Sequence, residues 1–244
     1  KQIKSISIKK NDKKIKLFLR GSIWLGKDWN FDAGAAADFI WPADTQSVSN
    51  LIEIAAKRQD IFLLSTKNSS WENYQLKKDD AIELSFFADE KEEEPLLSLF
   101  FGKRNLLASR IAFRSWEDSN VYECYWAIEN YLNLDSNFWA DPFLYPQCLT
   151  HYSRNQSESL LRHGNLVNLS PAKHLIPDLI LSKDFENGSS ASFTIYKKDA
   201  SYVVIPSFKA SPVFSDEDVK ALQDISYRYS VSSVTLERFK EDLK

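Results

Sequence analysis

The chain of 244 residues is 43% apolar and 14% aromatic, which is enough to build a sizeable core and excludes a disordered polymer. Its net charge of −3 excludes a globally basic nucleic-acid binder, and its 6 glycines leave little for glycine-built phosphate loops. The charge is unevenly spread: over residues 1–20, Lys1, Lys4, Lys9, Lys10, Lys13, Lys14, Lys16 and Arg20 stand against Asp12 alone, so the rest of the chain is acidic.

Residues 3–8 and 15–19 read as two strands around a turn at Asn11-Asp12, with Ile15, Leu17 and Leu19 in alternation. The stretch 21–46 reads as irregular and aromatic, with Trp24, Trp29, Phe31, Phe39 and Trp41. Val48, Leu51, Ile52 and Ala55 recur at helical spacing and predict an amphipathic helix over 47–58, with Thr45 or Ser47 as its cap. A strand at 61–65 follows. Alternating apolar residues (Ile82, Leu84, Phe86; Leu97, Leu99, Phe101; Ile111, Phe113) predict strands near 81–88, 96–102, 108–115 and 120–127. Their short connections favour an antiparallel meander. The helix at 47–58 and a short one near 128–134 are its candidate covers.

Asp141-Pro142 and Tyr145-Pro146 break the chain. Beyond them the pattern predicts strands near 157–162, 165–169, 191–197 and 201–206, a helix at 216–228 and a closing strand at 231–237. Ser215 and Asp218 form a capping box for that helix, with Val219, Leu222 and Ile225 on its buried side. The fold class is α+β: antiparallel sheets with packed helices, divided into a meander domain over 1–146 and a smaller α+β domain over 147–244. Ser5–Asp12 (SISIKKND) and Ser192–Asp199 (SFTIYKKD) each open a hairpin–helix–strand series, which predicts an internal repeat.

No catalytic centre is legible. The nucleophile-elbow, dinucleotide and P-loop motifs are missing, so no catalytic residue and no cofactor is expected. Cys148, His151, His163 and His174 are spaced as C-x₂-H followed by two long gaps, which matches no zinc-finger pattern, so no metal is expected. Two cysteines do not make a disulfide framework, and Cys124, in an apolar strand pattern, reads as a buried free thiol. Asp28 with Asp32, and Asp135 with Asp141, flank tryptophans. That pattern occurs in carbohydrate sites, and equally where a loop packs Trp over a sheet edge.

Two binding surfaces are left as candidates. Trp24, Trp29 and Trp41 could form an aromatic groove for a glycan or peptide. Lys9, Lys10, Lys13 and Lys14 are either a solvent face that protects a sheet edge or a contact for anionic lipid head groups or an acidic partner. The acidic run 89–94 reads as a solvated hairpin tip. A chain that begins at Lys1 and holds no Met is expected to have a processed or trimmed N-terminus, with room for a signal or anchor upstream.

Several short words carry a family resemblance. They are Trp29 ahead of the helix at 47–58, Phe62-Leu63-Leu64-Ser65, Tyr74-Gln75-Leu76, Leu99–Lys103 (LFFGK), Val121-Tyr122 and Asn137–Pro142 (NFWADP). In these, chiefly over residues 20–146, the chain resembles a bacterial family known as domain of unknown function 4340. The family usually has Tyr-Gly-Leu where this chain has Tyr74-Gln75-Leu76. The resemblance implies an extracytoplasmic protein tethered by an N-terminal membrane segment. It also implies company in the cell envelope, next to gliding-motility-type ABC transporter components. It implies no active site.

Overall fold

The computed structural model describes residues 2–28, 39–146, 149, 161–167 and 176–243. The fold is α+β with antiparallel sheets, and the chain divides into two compact units. The first is built from residues 1–19 and 46–135, the second from 20–45 and 136–244. The units are therefore not contiguous in sequence. Residues 20–45 and 136–146, which the sequence groups with the meander, belong to the second unit.

In the first unit β1 (Ser5–Lys10) and β2 (Lys13–Arg20) form a hairpin closed by Asn11-Asp12, with Asn11 at φ 52°. A left-handed first turn residue matches the twist of the flanking strands, and Asn tolerates it. The helix α1 (Thr45–Ala56) and strand β5 (Phe62–Ser65) follow. Next come β6 (Ile82–Phe87), β7 (Leu97–Asn105), β8 (Arg110–Ser115) and β9 (Val121–Cys124). The predicted four-strand meander is present, and β1 adds to its β6 side and β5 to its β9 side, all antiparallel.

One face of this sheet is apolar: Ile6 and Ile8 on β1 lie beside Phe86 and Leu84 on β6, and Phe101 stacks on Phe113. The helix α1 serves that face. Val48 and Leu51 are fully buried, Ile52 and Ala55 half-buried. The indole of Trp126, which meets Phe101 and Phe113 edge-on, donates to the Ile54 carbonyl at 3.3 Å. Leu51→Ala is expected to cost ~2–5 kcal/mol, read by chemical denaturation, because a fully buried leucine leaves both lost burial and a cavity. The predicted helix near 128–134 is a 3₁₀ turn, Ala127–Tyr131, with Ile128 buried.

The opposite face has its own small core on β7–β9: Leu76, Ala81, Phe100, Ala112 and Val121, with Trp71 and Tyr74 against it. Among them lies Arg114, only 5% exposed, sandwiched between the Trp71 and Phe100 rings at 3.9 Å from each. Its Nε donates to the Leu76 carbonyl at 3.1 Å. Two stacked aromatic faces and a carbonyl are what a buried guanidinium needs to offset its lost hydration.

The second unit pairs β3 (Ile23–Asp28) with β4 (Ile40–Pro42) and builds a four-stranded sheet. That sheet runs in the order β10 (Leu179–Asp184), β11 (Ser190–Lys198), β12 (Ser201–Lys209), β13 (Tyr229–Val231). Pro206 is tolerated in β12 because β13 pairs only with residues 202–204, leaving no ladder donor missing at 206. The helices are α2 (Ser136–Trp139), α3 (Asp216–Gln223) and α4 (Ser233–Asp242). Phe193, Tyr229 and Phe239 meet in an aromatic core.

Three expectations are corrected here. The irregular stretch 21–46 contains β3 and β4, and its short, glycine- and proline-marked runs hid them. The closing strand expected at 231–237 is largely α4, capped by Ser232 and anchored by Leu236 and Phe239 at helical spacing. The helix expected at 216–228 stops at Gln223, and its buried side is Asp218, Ala221 and Leu222. Of the strands expected at 157–162 and 165–169, residues 157–160 and 168–169 lie outside the described residues, and Arg162 and Leu166 form isolated bridges. Hairpin, helix and strand follow one another directly in β11–β12, α3 and β13, whereas β3 and β4 stand between the β1–β2 hairpin and α1. Among the described residues no helix is long and apolar enough to cross a membrane.

Candidate functional site

Antiparallel register sorts the charged turns of the first unit into two ends. Lys9 lies opposite Glu83, and Glu83 opposite Phe100, so these residues mark one level across β1, β6 and β7. Beyond that level, at one end, lie the β1–β2 turn and the β7–β8 turn. At the other end, past the Ser5–Phe87 pair, lies the β6–β7 connection with Asp89, Glu90, Glu92, Glu93 and Glu94. The β8–β9 turn at that end adds Glu117 and Asp118.

At the basic end the lysines occupy two adjacent rungs, Lys9 with Lys14 and Lys10 with Lys13. Side chains alternate, so Lys9 and Lys14 share one face of the hairpin and Lys10 and Lys13 the other. Burial, and then Lys9, lowers the pKa of Lys14, with Glu83 opposing. Glu83, directly opposite Lys9, offsets part of the repulsion between these like charges.

The β7–β8 hairpin brings Lys103, Arg104 and Arg110 to the same end. Arg110 pairs with Glu123 at 3.0 Å and stacks on Phe62 at 3.8 Å, and Arg104 pairs with Glu129. A cleft of about 550 Å³ opens beside the β7–β8 turn, lined by Leu64, Tyr74, Lys103, Leu106, Leu107 and Glu123 among others. The part played by this hairpin escaped sequence reasoning. The available signal was Leu106-Leu107 in a turn, where polar residues are the rule.

The proposed aromatic groove is corrected. Trp24 is 7% exposed and Trp41 0%, so both belong to the core of the second unit and offer no surface. Trp41 lies on Gly26, where an added Cβ would fall 1.9 Å from ring carbons. Trp29 lies outside the described residues, as do Asp32, Cys148, His151 and His174. The carboxylates that can be placed are structural. Asp28 accepts from Ser136 Oγ, and Asp141, buried, accepts from the Phe143 amide at 3.0 Å. Asp135 is exposed. Cys124 is a buried free thiol, its pKa pushed up to about 11 by burial and then by Glu123, so it is inert at neutral pH.

His163 is also structural. Its ring stacks on Tyr229 with centroids 4.9 Å apart, and its two nitrogens lie 2.6 Å from the carbonyls of Gly164 and Asp141. Burial lowers its pKa, and the two carbonyls, which favour the doubly protonated ring, oppose without prevailing. A base whose pKa is lower folded than unfolded binds fewer protons when folded. Stability is therefore full above the unfolded value of about 6.5 and falls as pH drops below it. His163→Gln is expected to flatten the fall in melting temperature between pH 7 and pH 5.

The segments Tyr74-Gln75-Leu76 and Leu99–Lys103 meet in the first unit. The Lys103 amide donates to the Tyr74 carbonyl at 2.8 Å, and a Cβ on Gly102 would lie 2.1 Å from that oxygen. Gln75, where the family has glycine, has φ 56°, a left-handed conformation that glycine adopts at least cost. No protein-family model, no curated protein and no solved structure matches the chain.

Proposed function

We propose that this chain is a non-catalytic, extracytoplasmic accessory or scaffold protein of the cell envelope, tethered to a membrane by a segment upstream of Lys1. Its first unit rests with the basic end on an anionic membrane surface and turns the acidic end toward a protein partner. The observation that carries this reading is the charge polarity along the strands. The lysine rungs at 9–14 and Lys103 of the β7–β8 hairpin share one end, and the acidic run at 89–94 occupies the other. The family resemblance adds the identity of the partner's class, an ABC transporter or gliding-type assembly. Glycan or peptide capture by the 24–41 stretch is disfavoured by the burial of Trp24 and Trp41.

Each basic group near an anionic surface contributes about 1 kcal/mol, fading within a Debye length of ~8–10 Å. With about half the lysines in range, changing Lys9, Lys10, Lys13 and Lys14 to Gln is expected to weaken binding roughly 30-fold. Co-sedimentation of the full chain with phosphatidylglycerol-containing vesicles measures this. Binding should require the anionic lipid and weaken with salt. A chain that ignores such vesicles even at low salt has its lysines as an edge-protecting solvent face, and the reading fails.

A further inference from the structure

The β7–β8 turn carries two exposed leucines on the rim of the cleft beside Leu64 and Tyr74. Leu106 is 77% exposed and Leu107 102%, and every residue from Lys103 to Ser109 is exposed. The turn is nevertheless built with care: Asn105 Oδ1 accepts from the Ala108 amide at 3.3 Å, Ser109 takes φ 51°, and Asn105–Arg110 is the last rung. An ordered turn that presents two bare leucines loses stability to hydration and gains nothing from packing.

Register places this tip relative to the lysines. Phe100 is level with Glu83 and Lys9, so Asn105 lies five residues beyond that level along β7 and Asn11 two residues beyond it along β1. One extra residue on β7 between Phe101 and Arg104 shortens this, so Asn105 lies about two residues, ~7 Å, past the lysine turn, with Leu106 and Leu107 just beyond it. Other exposed apolar side chains fall at the same end. Tyr125, 74% exposed, follows Cys124, the partner of Ile111. Phe62, 46% exposed, pairs across from Glu123, with Ile61 beside it. Basic groups at one depth, two leucines farther along the same direction and aromatic rings between them match the layering of an anionic bilayer: head groups, acyl boundary and interfacial aromatic belt.

We propose that the β7–β8 turn is a membrane-insertion loop. Leu106 and Leu107 enter the acyl boundary of an anionic leaflet while Lys9, Lys10, Lys13, Lys14 and Lys103 engage its phosphate head groups. This rests on the reading of the basic end as a membrane contact and adds depth and orientation to it. A flat polar protein surface would satisfy the lysines but not cover leucines that project beyond them, so a fluid apolar layer is the occupant that fits both.

The test uses the full chain carrying Cys148→Ser with Leu107→Cys, labelled with an environment-sensitive fluorophore; the buried Cys124 is left unlabelled. A companion labelled at Glu92→Cys reports from the acidic end. With vesicles of phosphatidylcholine and phosphatidylglycerol, the label at 107 is expected to shift to the blue and become quenchable by spin-labelled acyl chains, while the label at 92 stays in water. Leu106→Ser with Leu107→Ser, a surface change that leaves the melting temperature in place, is expected to weaken vesicle binding about tenfold. If the unaltered chain binds these vesicles but the label at 107 stays in water and the serine variant binds equally well, the insertion loop is overturned while the basic contact survives. The leucines would then belong to a protein interface. If the unaltered chain does not bind at all, both readings fail.

Discussion

Gly26→Ala is expected to destabilise the second unit by about 3 kcal/mol or more, the high end of what overpacking costs. The reason lies in one contact. Trp41 is completely buried, and its six-membered ring lies directly on the Gly26 backbone, so an added methyl would sit 1.9 Å from two ring carbons. Neither partner can yield easily. Gly26 pairs with Trp41 in the β3–β4 ladder, and β4 continues into Ala43, whose amide donates to the Trp24 carbonyl at 2.9 Å. Relief requires the indole to leave its site or the ladder to open. Urea unfolding of Gly26→Ala measures the loss, and the compensating Gly26→Ala/Trp41→Leu pair is expected to recover part of it. An unchanged midpoint for the single variant would show that the ring can move, against the packing described.

Asp218→Ala is expected to cost about 1–2 kcal/mol, from a weakened capping box and the lost acceptor of Ser22 together. Asp218 is 8% exposed and serves two purposes at once. It closes the capping box of α3: its amide donates to Ser215 Oγ at 3.2 Å, and its Oδ2 accepts from the same hydroxyl at 2.7 Å. Its Oδ1 accepts from both the amide and the hydroxyl of Ser22, at 2.7 and 2.9 Å. Removing the carboxylate leaves that amide without its acceptor.

Burial alone would raise the pKa of Asp218. The donors from Ser22 and Ser215 outweigh it and hold the carboxyl below the ordinary range. A carboxylate with a depressed folded pKa binds fewer protons folded than unfolded. Its contribution is present above the unfolded value of about 3.9 and is lost as pH falls through the lower folded value. Melting temperature measured from pH 5 to pH 2.5 should fall more steeply for the natural chain than for Asp218→Asn, which keeps an acceptor but does not titrate. Parallel curves would remove Asp218 from the acid transition.

The sequence by itself determined what local periodicity and local chemistry control. Strict alternation in Leu84–Phe86, Leu97–Phe101 and Ile111–Phe113 specifies strands, and connections too short to cross over specify an antiparallel meander, as observed. Helical spacing of Val48 and Leu51 placed α1, and Ser215 with Asp218 announced the start of α3 from four consecutive residues. The burial of Cys124 followed from its apolar strand.

Only the tertiary structure decided the rest, because the deciding partners lie far apart in the chain. Alternation cannot say that Trp24 and Trp41 close a core. That depends on a glycine lying under the ring, and an aromatic run reads the same whether it is packed or exposed. Nor can a capping box show that its carboxylate also holds Ser22, 196 positions away. The α4 cap at Ser232 was missed because β-branched Val231, Val234 and Thr235 favour a strand, and only the burial of Leu236 and Phe239 makes the helix the better choice. At the candidate site the sequence supplied the lysines but not their company. Antiparallel register brings residues 9–14 and 103–110 to one end of the sheet and sends residues 89–94 to the other. Register is a property of paired strands that no single segment carries.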